Sequence, residues 1–209
     1  MKNYKFTQNW FTSDDLVKIL PINTLNELHI LEIGSFEGMS TVWFIDNLLK
    51  NENSNITCID PWMNYYQNSN SFESYNPDTK TQSGIDYIKD DIKGRFLYNK
   101  NESGHPNKVN VIQGLSYFEL AKLINTNNLY DVIFIDGNHT SPFVLTDAVM
   151  SWYLLKPNGI MIFDDYLWTY NKGKTLTPKL AVDSFIEIFS DYSKVIWDDY
   201  RKAIKKIKL

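Results

Sequence analysis

Short apolar runs recur at 28–33, 55–59, 109–113, 131–136 and 160–163, separated by longer amphipathic or polar stretches. Runs of this length, apolar at consecutive positions, predict parallel strands buried on both faces. The segments between them predict helices over about 40–50, 85–99, 117–125 and 141–155. Ser13-Asp14-Asp15 ahead of Leu16 predicts a capped helix start, and Pro21 stops that helix. Pro157-Asn158-Gly159 predicts a turn before the fifth strand. A helix near 179–190 and two alternating strands near 194–199 and 202–208 close the chain. Five strand–helix alternations followed by a hairpin predict an α/β fold, a doubly wound Rossmann-like sheet of seven mostly parallel strands with an antiparallel edge strand.

The pattern breaks once. From Asn64 to about Gly84 the chain is rich in Asn, Ser, Tyr and Gln, with no clear period. Long stretches of this kind inside compact domains are usually functional, so 64–106 is expected to be a lid-like insertion. Residues 1–27 are expected to form a helical extension of the same single domain, 1–209. The length of 209 residues suits one domain with a sizeable core. A net charge of −4 gives no strong pull toward nucleic-acid phosphates. The lone Cys58, inside an apolar strand, excludes an intrachain disulfide framework and reads as a small core residue. No window approaches the roughly 18 apolar residues of a membrane helix, and no signal peptide is evident, so a soluble cytoplasmic protein is expected.

The first strand ends in Glu32-Ile33-Gly34-Ser35-Phe36-Glu37-Gly38, an E-x-G-x-x-x-G turn leading into a helix. Gly34 permits a tight turn, and Gly38 is expected to let a ligand approach the backbone. The spacing differs from the G-x-G-x-x-G of nicotinamide-binding folds. It resembles motif I of the class I S-adenosylmethionine (SAM)-dependent methyltransferases. That resemblance implies SAM binding by Glu32, Gly34, Ser35, Gly38 and Ser40. It also implies Asp60, at the second strand tip, on the ribose hydroxyls, and Gly114 and Ser116 near the adenine. It further implies Asp136, at the fourth strand tip, as a SAM contact.

Asp136 and the pair Asp164-Asp165 end the fourth and fifth strands, whose tips lie about 5 Å apart. Three carboxylates gathered there would resist ionising together, and a hard divalent cation, Mg²⁺ or Mn²⁺, would resolve the repulsion. The alternative is that these aspartates only cap the following helices. Asp136 with Asp164-Asp165, and Trp168 soon after, resembles the metal-dependent O-methyltransferases. Where the catechol and caffeoyl-coenzyme A enzymes carry lysine, this chain has His139. The Ile135-Asp136-Gly137-x-His139 form resembles methyltransferase family 24, the macrocin- and novobiocin-type sugar O-methyltransferases. Leu154–Gly159 and Pro178–Phe185 add to that likeness. Family members often have an acid at the position of Asn138, which cannot take a proton. The base role then falls to His139, which titrates near neutrality, or the metal acts without one.

These residues point to a SAM-dependent, divalent-metal-assisted O-methyltransferase acting on a small hydroxylated molecule, expected to be a sugar or a sugar-bearing compound. A catechol or phenol methyltransferase and a catalytically silent SAM-binding module are the alternatives. An enzyme methylating nitrogen or nucleic acid is disfavoured, because the chain lacks the Asn/Asp-Pro-Pro-aromatic motif of amino-methylating enzymes and is acidic. The expected partners exclude nucleic acid and membrane, with homodimerisation left open.

Overall fold

A computed structural model describes residues 2–62, 91–126, 128–169 and 173–208. Its strands are β1 His29–Ile33, β2 Asn55–Asp60, β3 Val109–Gln113, β4 Tyr130–Ile135, β5 Leu155–Phe163, β6 Ser193–Asp198 and β7 Lys202–Lys206. Its α-helices are α1 Leu16–Ile19, α2 Met39–Asn47, α3 Ile92–Glu102, α4 Ser116–Ile124, α5 Ser141–Trp152 and α6 Lys179–Ile188. The seven strands form one sheet in the order β3-β2-β1-β4-β5-β7-β6. β3, β2, β1, β4 and β5 pair in parallel, and β7 runs antiparallel to both β5 and β6. The Rossmann-like sheet expected from the apolar runs is therefore present, with its antiparallel pairing confined to one side. On that side β7 lies one place inside the edge, and β6 is outermost.

Period-2 alternation sends each central strand into two cores. Leu31, Ile33, Ile133, Ile135, Met161 and Phe163 pack on one face with α5 and α6. Ile30, Ile56, Cys58, Val132, Phe134 and Ile162 pack on the other, with Phe44 of α2 and Phe96 of α3. Both faces are covered, so the central strands carry no exposed side.

Three local expectations change. The turn at Pro157-Asn158-Gly159 lies within β5 as a bulge: Tyr130 pairs with Leu155 but Val132 with Ile160, and Asn158 has a φ of 66°. The described part of the expected lid, 91–106, contains α3, whose Phe96 is buried beside Gly38. Asp91 caps that helix by accepting from the Gly94 N–H at 2.7 Å. The remainder, 64–90, lies outside the described residues. In the N-terminal extension only Leu16–Ile19 is α-helical. Before it the chain forms an extended strap, tied to Asp46 by Tyr4, to Asn99 by the Lys5 backbone and to Glu37 by Thr7. No described helix is long and apolar enough to cross a membrane.

Candidate functional site

The C-terminal ends of β1, β2, β4 and β5 meet at one edge of the sheet, where doubly wound folds bind ligands. The turn after β1 is held from below and from the side. Glu32 is fully buried and accepts from Ser35 Oγ at 2.7 Å, Ser40 Oγ at 2.5 Å, Thr41 Oγ1 at 2.5 Å and Cys58 Sγ at 3.2 Å. Burial pushes its pKa up, against those four donors. Glu32 and the Ser40 hydroxyl thus brace the turn from beneath.

Gly34 has a φ of 84°, and a Cβ there would stand 2.0 Å from the Asp136 carbonyl oxygen. The glycine is required for the turn and for packing the β1 tip against the β4 tip. Gly38 also has a positive φ, and a Cβ there would meet the Phe96 ring at 2.9 Å. Its close neighbour on that side is thus a side chain of α3. Gly38 caps α2 with no side-chain hydrogen bond.

Asp60 closes β2. Its Oδ2 accepts the N–H groups of Ser35 and Phe36, each at 2.9 Å, and its Oδ1 accepts that of Trp62 at 2.7 Å. Burial nonetheless carries its pKa up to about 6. Each carboxylate oxygen has about two acceptor sites, so Oδ1 alone keeps one for a ligand hydroxyl. Trp62 Nε1 donates to the Phe36 carbonyl at 2.8 Å, and Trp10 of the strap stacks on Phe36 at 5.5 Å. Gly114 and Ser116 flank the β3 tip. The Gly114 N–H donates to the Asp60 carbonyl at 3.1 Å, and Ser116 opens α4.

The second cluster lies beside Gly34. One oxygen each from Asp136 and Asp165 and a ring nitrogen of His139 lie within 4.8 Å of one another. His139 stands between the acids, with Nε2 3.6 Å from Asp136 Oδ1 and Nδ1 3.5 Å from Asp165 Oδ2. The Trp168 ring packs edge-on to it at 5.1 Å. Burial, with the nearby Asp164 charge adding to it, holds Asp136 well above the usual carboxylate range. Burial also works against a charged His139. The Asp136 hydrogen bond and the charges of Asp165, Asp136 and Asp164 outweigh it and hold the imidazole above its usual value.

Asp164, grouped by sequence with the other two acids, faces elsewhere. Its Oδ1 lies 2.7 Å from Arg201 Nε and its Oδ2 accepts from Arg201 Nη2 at 3.1 Å. It is the least exposed of the three, and it is engaged by the guanidinium and the Asp165 N–H. Arg201 thus engages Asp164, while His139 stands between Asp136 and Asp165. With Asp164 paired to Arg201, the remaining acids carry a formal charge of −2 when ionised, which a divalent cation would match. Two carboxylates with room for waters suit Mg²⁺ or Mn²⁺.

Sequence reasoning missed Arg201 and Tyr200. The signal was present in the hairpin: an antiparallel β7 must begin beside the C-terminal end of β5. The Phe163–Lys202 pairing brings residues 199–201 to the acid cluster.

Residues 31–166 match the model of a family described as a methyltransferase domain. No curated protein matches the chain. Among solved structures, the Bacillus cereus O-methyltransferase bound to SAH is 17% identical with a TM-score of 0.58, over 91% of this chain and 77% of that one. A Clostridium thermocellum protein proposed as an rRNA methylase is 13% identical with a TM-score of 0.62, over 94% of each chain. The MycE methyltransferase of mycinamycin biosynthesis, solved with Mg, SAH and mycinamycin VI, is 13% identical with a TM-score of 0.53, over 88% of this chain and 46% of that one. At these identities the likeness establishes the fold.

Proposed function

We propose, from the premise that this chain belongs to the methyltransferase-domain family and has the fold of SAM-dependent methyltransferases, that it methylates a hydroxyl of a small molecule with the help of a divalent cation. The observation that carries this reading is the meeting of Asp136, His139 and Asp165 beside the Gly34 turn. A protein that bound SAM only as a scaffold would gain nothing from collecting half-buried acids around a histidine.

The residues fit both groups. SAM supplies an electrophilic sulfonium methyl, and a divalent cation supplies a Lewis acid that lowers a hydroxyl's pKa. In this chain the uncapped start of α2 and the Gly34–Gly38 backbone would receive the methionine end. Asp60 Oδ1 would accept one ribose hydroxyl, with Gly114 and Ser116 beside the adenine. Asp136 and Asp165 would hold the cation. His139 lies between them and would take the acceptor's proton on a ring nitrogen. Trp168, against His139, helps to exclude water from it.

A sugar or sugar-bearing acceptor is favoured because histidine stands where catechol-type enzymes carry lysine. A sugar hydroxyl is far less acidic than a catechol, so it needs both a base and a cation. An RNA acceptor finds no support in a chain of net charge −4. The test is SAH formation with Mg²⁺ present, measured across glycosides, nucleotide sugars, catechols and RNA. Turnover of a glycoside that stops with EDTA and returns with Mg²⁺ or Mn²⁺ bears the reading out. Turnover undiminished in chelator removes the cation, and turnover of catechols alone removes the sugar.

A further inference from the structure

The turn between β6 and β7 places two consecutive side chains on two consecutive acids. Arg201 forms a two-pronged ion pair with Asp164, and the Tyr200 hydroxyl donates to Asp165 Oδ1 at 2.8 Å. The guanidinium is buried and also donates from Nη1 to the Thr12 carbonyl at 2.8 Å, so the N-terminal strap holds it from the far side. Asp165 has a φ of 51°. That left-handed conformation costs a non-glycine residue free energy and persists only where its surroundings impose it. Its effect is to send neighbouring side chains in different directions: Asp164 toward Arg201, and Asp165 Oδ2 toward His139.

We propose that Tyr200 and Arg201 are positioning residues that divide the Asp164-Asp165 pair, Arg201 withdrawing Asp164 from the site and Tyr200 aiming Asp165 at the space shared with Asp136 and His139. This rests on the cation reading above. Without Arg201, three carboxylates would compete for one space. Without the Tyr200 hydroxyl, Asp165 Oδ1 would lose its partner, and the left-handed residue would be free to rotate its carboxylate away. Groups that orient ligand residues commonly change metal affinity 10- to 100-fold when removed.

Tyr200→Phe is the test, because Tyr200 is 45% exposed and the ring is retained. Mn²⁺ affinity, measured by calorimetry on the SAH-loaded full chain, should fall about 10-fold or more while SAH affinity and melting temperature stay at wild-type values. The carboxyl ¹³C shift of Asp165, recorded at fixed pH without metal, should move in the variant. Arg201→Lys keeps the charge but not the fork and should fall between wild type and Arg201→Met in Mn²⁺ affinity. An unmoved Asp165 resonance overturns the role of Tyr200 whatever the metal does. A wild-type protein that binds no Mn²⁺, with the resonance still moved, overturns the cation reading and leaves the positioning intact. Equal Mn²⁺ affinity in wild type and Tyr200→Phe overturns the positioning and leaves the cation reading intact.

Discussion

Asp60 and His139 show how much of a residue's role lies in its partners. Asp60 was expected on a ribose, and its carboxylate is already engaged by three backbone N–H groups of the turn. Asp60→Asn replaces one accepting oxygen with a donor that faces N–H groups. The variant should lose about 1–3 kcal/mol of stability as well as SAH affinity, which chemical denaturation and calorimetry separate. The raised pKa of about 6 sets the signs with pH. The folded state holds the Asp60 proton more tightly than the unfolded chain does. The stability from this group is full below pH ~4 and is lost as pH rises through about 6. Binding runs the other way: a ribose hydroxyl needs the ionised acceptor, so SAH affinity should fall as pH drops through about 6. A flat calorimetric profile between pH 5 and 7.5 would separate Asp60 from the ribose. His139→Ala should lower turnover by about 10²–10⁴-fold with SAH affinity nearly unchanged. If Mn²⁺ affinity collapses with it, the ring is a ligand and not the base.

At the scale of elements, the site depends on how closely strand tips approach. Gly34 touches the Asp136 backbone and joins the cofactor turn to the acid cluster. Gly34→Ala would put a methyl into the Asp136 carbonyl in a backbone conformation that disfavours any side chain. No flexible group can yield there. Loss of more than about 2 kcal/mol, or failure to fold, is expected. Gly38→Ala shares the positive φ but meets a side-chain ring edge at 2.9 Å rather than backbone at 2.0 Å, so its cost should be smaller. Denaturation midpoints of the two variants test the order. The hairpin is the other decisive element. Because β7 runs back along β5, its first residues arrive at the same edge as Asp164 and Asp165, and two positions 35 or more residues away in sequence become neighbours of the acids.

At the scale of the whole molecule, the strap before α1 spans both halves of the site. Thr7 bonds Glu37 in the glycine turn, Trp10 stacks on Phe36, and the Thr12 carbonyl accepts from Arg201. Deleting residues 2–12 should lower the melting temperature by several degrees, at about 2–4 °C per kcal/mol for a chain of this size. It should weaken SAH and Mn²⁺ binding together. Loss of stability alone would make the strap a simple buttress. The order of strands and helices was legible along the chain, because buried strands read as unbroken apolar runs and the turn after β1 needs its glycines locally. The placement of Asp136 and Asp165 after the ends of β4 and β5 was legible too, since each follows an apolar run. The bulge in β5 was not, because Pro157-Asn158-Gly159 satisfies a turn and a bulge equally well and only pairing with β4 distinguishes them. Neither was the division between Asp164 and Asp165. Adjacent acids look alike in sequence, and the guanidinium that separates them arrives from residue 201, through a hairpin whose register is set by packing across the sheet.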